Sequence, residues 1–299
     1  MAIAHDFAYE RPGTLSGALA LLDEHRSSAR ILAGGTDLIV HIKEGLAKPE
    51  LLIDIKDIAA LRQLELIEGK LFIGAAVSFA ELIDSPLIKE HLPMLLDAAR
   101  TVASTGVRTR ATLAGNICSA VPSLDSAPPL LCYGALVHCE SLAGGRDVPI
   151  GDWFLAPRKT ALKDNELVTG ISIPLPDEDS AGIYLKLGRY NGEDLAQAGW
   201  GILCDKRGNY RIGHCALAPV PARALLIEAL LQGKELSEEL IAEAVALVER
   251  EINPITDIRA SKEYRVHVSG VMLKRGLKSV RERLLGKDIE PRELLGGLA

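Results

Sequence analysis

The sequence predicts an α+β fold in three parts, and three observations carry that prediction. A helical pattern runs into an apolar strand that stops at Gly34-Gly35, the order of a small α/β unit. Leu64-Glu-Leu-Ile-Glu-Gly-Lys-Leu-Phe-Ile-Gly74 reads as a hairpin turning at Glu68-Gly69. Beyond Glu166 strand patterns gather first and helical patterns follow, the texture of a separate α+β unit. The expected divisions are 1–57, 58–176 and 177–299.

The elements follow in order. Thr14 is a good N-cap for a helix whose Leu15, Ala18, Leu19 and Leu22 share one face, and this helix packs back on the strand at Arg30–Ala33. Leu51-Leu-Ile-Asp-Ile55 is a short buried strand entered through Pro49. Ser78-Phe-Ala-Glu81 has capping-box spacing and opens a short helix, and another runs from about Pro93 through Val102. Glu166–Pro174 is strand-like and ends in the linker-like Pro174-Leu-Pro-Asp-Glu-Asp179. Ile183–Leu187 alternates as a strand, and Gly201–Cys204 with Tyr210–Leu217 flank the turn Lys206-Arg-Gly-Asn209. Helical patterns at Ala222–Gln232, Glu238–Glu251 and Ser261 to about Leu285 close the chain, with Glu293–Ala299 read as frayed.

Composition narrows the function. Of 299 residues 48% are apolar but only 4% aromatic, so the core is aliphatic. A net charge of −6 and a pI near 5.7, with no large basic block, give no nucleic-acid footprint. The Lys/Arg run from Lys274 to Arg283 is interleaved with Leu and Val and reads as a solvated helix face, with docking to another subunit as the alternative. Met1-Ala-Ile-Ala-His-Asp-Phe7 has no basic or apolar region of a secretory signal, and no apolar run reaches the ~18–20 residues of a membrane span. Five scattered cysteines without a C-x-x-C pair fit a reducing cytoplasm and offer no structural-zinc spacing. His41, His138, His214 and His267 are scattered and read as satisfied core or surface residues and not ligands, His267 making local hydrogen bonds at a helix start.

Two stretches carry chemistry. In Ile31-Leu-Ala-Gly-Gly-Thr-Asp-Leu-Ile-Val40 an apolar strand breaks at paired glycines and resumes. Such a turn allows φ > 0 and groups backbone N–H donors into a nest for phosphate, with Thr36 and Asp37 at the mouth. A tight turn between two core strands is the alternative. The second stretch, Arg108 to Pro129, is rich in small and hydroxyl residues, and Pro122, Pro128 and Pro129 exclude a regular helix. A long irregular segment of this kind is usually functional. Its Thr112, Asn116, Ser119, Ser123 and Asp125 suit a phosphate and a ribose diol; a well-bonded surface loop is the alternative. There is no G-x-G-x-x-G, no G-x-x-x-x-G-K-[ST] and no H-E-x-x-H.

Ala33-Gly-Gly-Thr-Asp, Ala111-Thr-Leu-Ala-Gly-Asn and Pro122-Ser-Leu-Asp125 together resemble the FAD-binding subunit of the molybdenum hydroxylases, the xanthine dehydrogenase, carbon monoxide dehydrogenase and aldehyde oxidase group. The resemblance extends through Tyr184–Arg189, Asp194-Leu-Ala196 and Ser261–His267, and so covers nearly the whole chain. It implies two FAD-binding subdomains of the vanillyl-alcohol-oxidase type followed by a small α+β C-terminal domain. By that resemblance Ile31, Leu32, Ala33, Gly34, Gly35, Thr36, Asp37 and Leu38 hold the FAD pyrophosphate. Thr112, Gly115, Asn116 and Ser119 complete the cradle, Asp125 faces ribityl or ribose hydroxyls, and Val168 and Lys186 flank the isoalloxazine. Val102 stands where some members have an aromatic, and Ala114-Gly115-Asn116 replaces the usual Gly-Gly-Asn. One branch carries a [4Fe–4S] insert between these motifs; here only Cys118 lies between Asn116 and Asp125, so no cluster is expected.

The resemblance further implies a molybdenum-cofactor large subunit, a [2Fe–2S] small subunit, NAD⁺ or another electron acceptor, and a dimer of heterotrimers. A purine such as xanthine, nicotinate or an aldehyde are the substrates it permits. No side chain is expected to be catalytic, because the redox chemistry belongs to the cofactor. Two other readings are a self-contained flavin oxidoreductase of the same fold and a non-redox assembly subunit. Trp200 and Tyr190 are further candidates for the flavin neighbourhood, and Trp153 reads as packing.

Overall fold

The computed structural model describes residue 3, residues 5–190 and residues 193–291. The frayed-end reading of Glu293–Ala299, and residues 1, 2 and 4 of the stretch read for a leader, lie outside them.

The chain opens on strand β1 (Ala8–Glu10) and helix α1 (Leu15–His25), followed by β2 (Ala29–Leu32), helix α2 (Leu38–Lys43) and β3 (Leu51–Asp54). Thr14 Oγ1 accepts from Gly17 N at 3.1 Å, and Ala18, Leu19 and Leu22 are buried, as the capping and periodicity predict. The three strands form a parallel sheet in the order β1-β3-β2, with β3 central and wholly buried. Here the sequence reading is corrected. The chain after Gly34-Gly35 forms the short helix α2 and does not resume as a strand, its first turn closed by Ile39 N donating to Gly35 O at 3.0 Å.

The next hairpin, β4 (Leu64–Ile67) and β5 (Lys70–Gly74), turns at Glu68 and Gly69 with φ of 48° and 73°. Both positive angles match the right-handed strand twist. Helices α3 (Phe79–Asp84), α4 (Pro86–His91), α5 (Pro93–Thr101), α6 (Thr105–Arg108), α7 (Leu113–Ser119) and α8 (Ala127–Tyr133) follow. Ser78 and Glu81 complete the expected capping box. Residues 108–129 are therefore not one long irregular loop. Pro128 and Pro129 sit in the first turn of α8, where a missing N–H costs no intrahelical bond, so they start a helix instead of excluding one.

Strands β6 (Leu136–Ser141) and β7 (Gly144–Pro149), a small hairpin β8 (Phe154–Ala156) and β9 (Lys159–Thr160), and the long β10 (Leu167–Pro174) complete this part. The second sheet runs β4-β5-β10-β6-β7, and every ladder in it is antiparallel. Its central strand β10 carries a bulge between Val168 and Gly170. Bulges re-aim side chains, and Val168 lies on the wall of the cavity described below.

Strands β11 (Ser180–Leu187), β12 (Ala198–Asp205), β13 (Tyr210–Cys215) and β14 (Ala222–Arg223) form an antiparallel sheet in sequence order. Helices α9 (Leu225–Leu231), α10 (Glu238–Ala246), α11 (Val248–Glu251) and α12 (Lys262–Leu284) follow. Ala222-Arg223, read as the start of a helix, instead pairs with Gly213 and His214. Trp200, one candidate for the flavin neighbourhood, is wholly buried in the core of this sheet beside His214, ring centroids 5.5 Å apart.

Two aliphatic cores result, one under the first two sheets and one between the third sheet and its helices. They meet where α8 crosses a glycine pair on the third sheet, Gly201 opposite Gly213. A Cβ at Gly213 would lie 2.9 Å from Pro128 O, and one at Gly201 3.1 Å from Pro128 C. Gly213→Ala is accordingly expected to destabilise the chain by about 1–3 kcal/mol, as overpacking against backbone does; a denaturant melt of the variant checks this.

Candidate functional site

The two stretches singled out by sequence are brought together by a backbone contact. Gly34 lies so close to the loop ahead of α7 that a Cβ there would overlap the Arg110 carbonyl oxygen. That Cβ would also stand 2.7 Å from Arg110 C and 2.9 Å from Ala111 Cα. That loop has no room to retreat. Phe79 N donates to Ala111 O at 2.9 Å, and Ser78 bridges Thr112. Of the paired glycines only Gly35 uses a positive φ, 76°. The first glycine serves close approach, the second the turn. Ser119 Oγ donates to Asp37 Oδ2 at 2.5 Å and ties the motifs a second time.

Among the described residues the backbone N–H groups of Gly34, Gly35, Thr36 and Asp37 have no hydrogen-bond partner. Successive free N–H groups in a turn form an anion-binding concavity. Across from them Thr112 caps α7, its Oγ1 accepting from Gly115 N at 3.0 Å. The Gly115 N–H is therefore spent within the helix, while the hydroxyl proton of Thr112 remains free to donate. Asn116 Oδ1 accepts from Ser126 Oγ at 2.6 Å, which leaves the Asn116 amide NH₂ as its free donor.

These groups line one cavity of about 740 Å³, within the roughly 300–1,000 Å³ range of ligand sites. Of the sixteen residues expected there, fifteen line it; Leu32, the last residue of β2, does not. Val102 and Val168 provide apolar wall, and Lys186 reaches in from β11. Tyr190, exposed, does not line it. A second cleft, about 560 Å³, lies by His138 and Arg146 and includes none of the expected residues. Both His138 ring nitrogens are engaged at 2.6 Å, by Asp147 and Ser172.

Asp125 and Lys186 form a buried charged pair in the cavity wall. Lys186 Nζ donates to Asp125 Oδ2 at 2.8 Å and to Thr101 O at 2.8 Å, with both side chains only 8% exposed. Tyr184 Oη donates to the other Asp125 oxygen at 2.7 Å. Burial pushes the Asp125 carboxyl up, while the Lys186 charge and the two hydrogen bonds oppose it. Sequence reasoning gave Tyr184 no role of its own. Its one signal was the i, i+2 spacing with Lys186 on a predicted strand, which puts both on one face.

Glu166, also on the cavity wall, is held by Arg146 through two bonds, of 2.7 and 2.8 Å. The Arg146 hydrogen bonds hold the Glu166 carboxyl at about 2, against an ordinary 4.5, with burial opposing. A lowered folded-state value means that this stabilisation is complete above about pH 4.5 and lost as pH falls toward 2. Thermal melts through that window are expected to show a falling midpoint whose slope is reduced in Glu166→Gln.

The sheets, the glycine cradle and the cavity define a chain of two N-terminal units that share one anion-binding cavity, followed by an α+β unit. Residues 5–176 match the family described as FAD binding domain in molybdopterin dehydrogenase, and residues 184–280 the CO dehydrogenase flavoprotein C-terminal domain. The chain is 34% identical to the putative xanthine dehydrogenase FAD-binding subunit of Escherichia coli K12, over 90% of this chain and 94% of that one. It is 33% identical to the carbon monoxide dehydrogenase medium chain of Hydrogenophaga pseudoflava, over 93% and 98% of the two chains. A solved structure of carbon monoxide dehydrogenase from H. pseudoflava superposes with a TM-score of 0.91 at 33% identity, covering 95% of this chain and 99% of that chain. The chain belongs to the FAD-binding subunit family of the molybdopterin and CO dehydrogenases. Its cofactor is FAD and it is an oxidoreductase subunit. The residues fit that cofactor: a free N–H nest for a diphosphate, a glycine approach that a Cβ would fill, and a cavity of about 740 Å³ with apolar wall at Val102 and Val168.

Proposed function

We propose that this chain is the flavin subunit of a multisubunit molybdenum hydroxylase of the xanthine dehydrogenase type. It receives electrons from [2Fe–2S] clusters of a small partner subunit and delivers them to NAD⁺ or another acceptor. Substrate is oxidised at the molybdenum cofactor of a large partner subunit, the whole forming a dimer of heterotrimers. FAD, when bound, supplies the conversion between one-electron and two-electron transfer. The chain's own residues bind and orient it. Gly34 to Asp37 would take the diphosphate through their N–H groups, with Thr112 and Asn116 completing the cradle. Asp125 would face the ribityl or ribose hydroxyls, Lys186, paired with it, would set the charge beside the ring system, and Val102 and Val168 would exclude water there. Domains at 1–57, 58–176 and 177–299 belong to the same reading.

One observation carries the proposal: a single cavity gathers both motifs and a lysine from the C-terminal sheet. Relatives include a caffeine dehydrogenase subunit and a nicotinate dehydrogenase FAD-subunit, so substrate choice is assigned to another chain. The test is anaerobic. The FAD-loaded chain is reduced photochemically and mixed with NAD⁺, and stopped-flow absorbance follows flavin reoxidation and NADH formation. Reoxidation with stoichiometric NADH supports NAD⁺ as acceptor. No reoxidation by NAD⁺ but rapid reoxidation by a quinone or a one-electron acceptor assigns the other branch.

A further inference from the structure

We propose that Tyr184 is a positioning residue for the flavin site, acting through Asp125. This rests on the assignment of the cavity to FAD. Tyr184 is 1% exposed and does not itself line the cavity. Its hydroxyl donates to Asp125 Oδ1 at 2.7 Å and lies 3.5 Å from Cys215 Sγ. The surroundings leave the phenol little other choice. Gly199 stands beside it, and a Cβ there would fall 2.7 Å from Tyr184 Oη and 2.5 Å from Cys215 Sγ. The missing side chain at Gly199 makes room for the phenol.

Two residues apart on β11, Tyr184 and Lys186 each hold one oxygen of the same carboxylate. Two fixed donors set the plane of the Asp125 carboxyl, and one set by Lys186 alone would be free to pivot. Tyr184 also belongs to the hydrophobic core of the FAD-binding part, although its strand belongs to the C-terminal sheet. The C-terminal domain thereby reaches through the interface to control a cavity residue. The groups facing Asp125 are Tyr184 and Lys186 from β11 and Cys215 from β13, with the Thr101 carbonyl behind Lys186. A donor to the ionised carboxylate favours that form, so its removal has a readable consequence.

The experiment is a spectroelectrochemical titration of the full chain loaded with FAD, over the whole pH range in which the chain stays folded. Wild type, Tyr184→Phe and Asp125→Asn are compared, after bound FAD per chain is measured. Tyr184→Phe is expected to keep FAD while the inflection in midpoint potential against pH, absent in Asp125→Asn, moves up by about one pH unit. A Tyr184→Phe curve that superposes on wild type, or a wild-type curve with no inflection that Asp125→Asn removes, overturns the proposal. If Tyr184→Phe does not fold, 3-fluorotyrosine at position 184 keeps the ring and strengthens the donor. The inflection must then move down, and an unmoved one overturns the proposal. A wild-type chain that binds no FAD is a different failure, seen before any variant is made; it overturns the cofactor assignment and this proposal with it.

Discussion

Gly34→Ala is expected to abolish FAD loading and to destabilise the chain by at least about 3 kcal/mol, the upper end for overpacking. The added methyl meets backbone, not a flexible side chain: the Arg110 carbonyl on one side and Ala111 Cα, 2.9 Å away, on the other. Backbone yields only if the whole segment moves, and this one is pinned. Phe79 N holds Ala111 O at 2.9 Å, and Ala111 N is bonded to Val107 O at 2.8 Å. Relief would have to come from the Gly34–Asp37 turn, which carries the free N–H groups. Gly35→Ala is the informative control. It strains a φ of 76° and meets the Leu32 Cδ1 end of a side chain at 2.8 Å, so a milder loss of about 1–2 kcal/mol is expected. Denaturant melts and flavin content of both variants separate the two roles. Equal effects would contradict the distinction between close approach and turn.

The second large effect is expected at Lys186. Lys186→Met keeps the length and apolar stem of the side chain but removes the cation 2.8 Å from Asp125 Oδ2. Removing one partner of a buried pair costs about 3–5 kcal/mol, because the remaining charge has no adequate compensation. Tyr184 still donates to the other oxygen, which places the loss toward the lower end. The double variant Asp125→Asn/Lys186→Met is expected to recover most of the stability, since it removes the stranded charge. Urea unfolding of the two singles and the double closes the cycle. Additive losses, with no recovery in the double, would show that the pair is not coupled.

What could be read from the sequence was whatever depends on short-range pattern. Thr14 and the Ser78–Glu81 box announce their helices because capping is local chemistry. The 3.6-residue pattern from Ser261 gives the helix found at Lys262–Leu284. Gly34-Gly35 and Thr112–Asn116 were legible as small-residue breaks, and the cavity gathers both. Helix α2 was not legible, since six residues show too few turns for a period to separate from a strand. Pro128 and Pro129 misled because a proline's meaning depends on its position in a helix, which is known only once the helix is placed. The role of Gly34 was half-read: conformational freedom was visible, but its close packing on Arg110 comes from a segment 76 positions away. The Tyr184–Asp125 bond spans 59 residues, from strand β11 to the segment between α7 and α8, so no local pattern encodes it.

The measurement that bears most directly on the cradle is amide NMR of the full chain selectively labelled with ¹⁵N-glycine, titrated with FAD. Gly34 and Gly35 N–H groups are free in the turn, so the account predicts that both resonances shift downfield in step with FAD uptake. Gly115, whose N–H is already bonded to Thr112 at 3.0 Å, shifts far less. FAD uptake of one per chain with Gly34 and Gly35 unmoved would contradict the diphosphate cradle and place the cofactor elsewhere in the cavity.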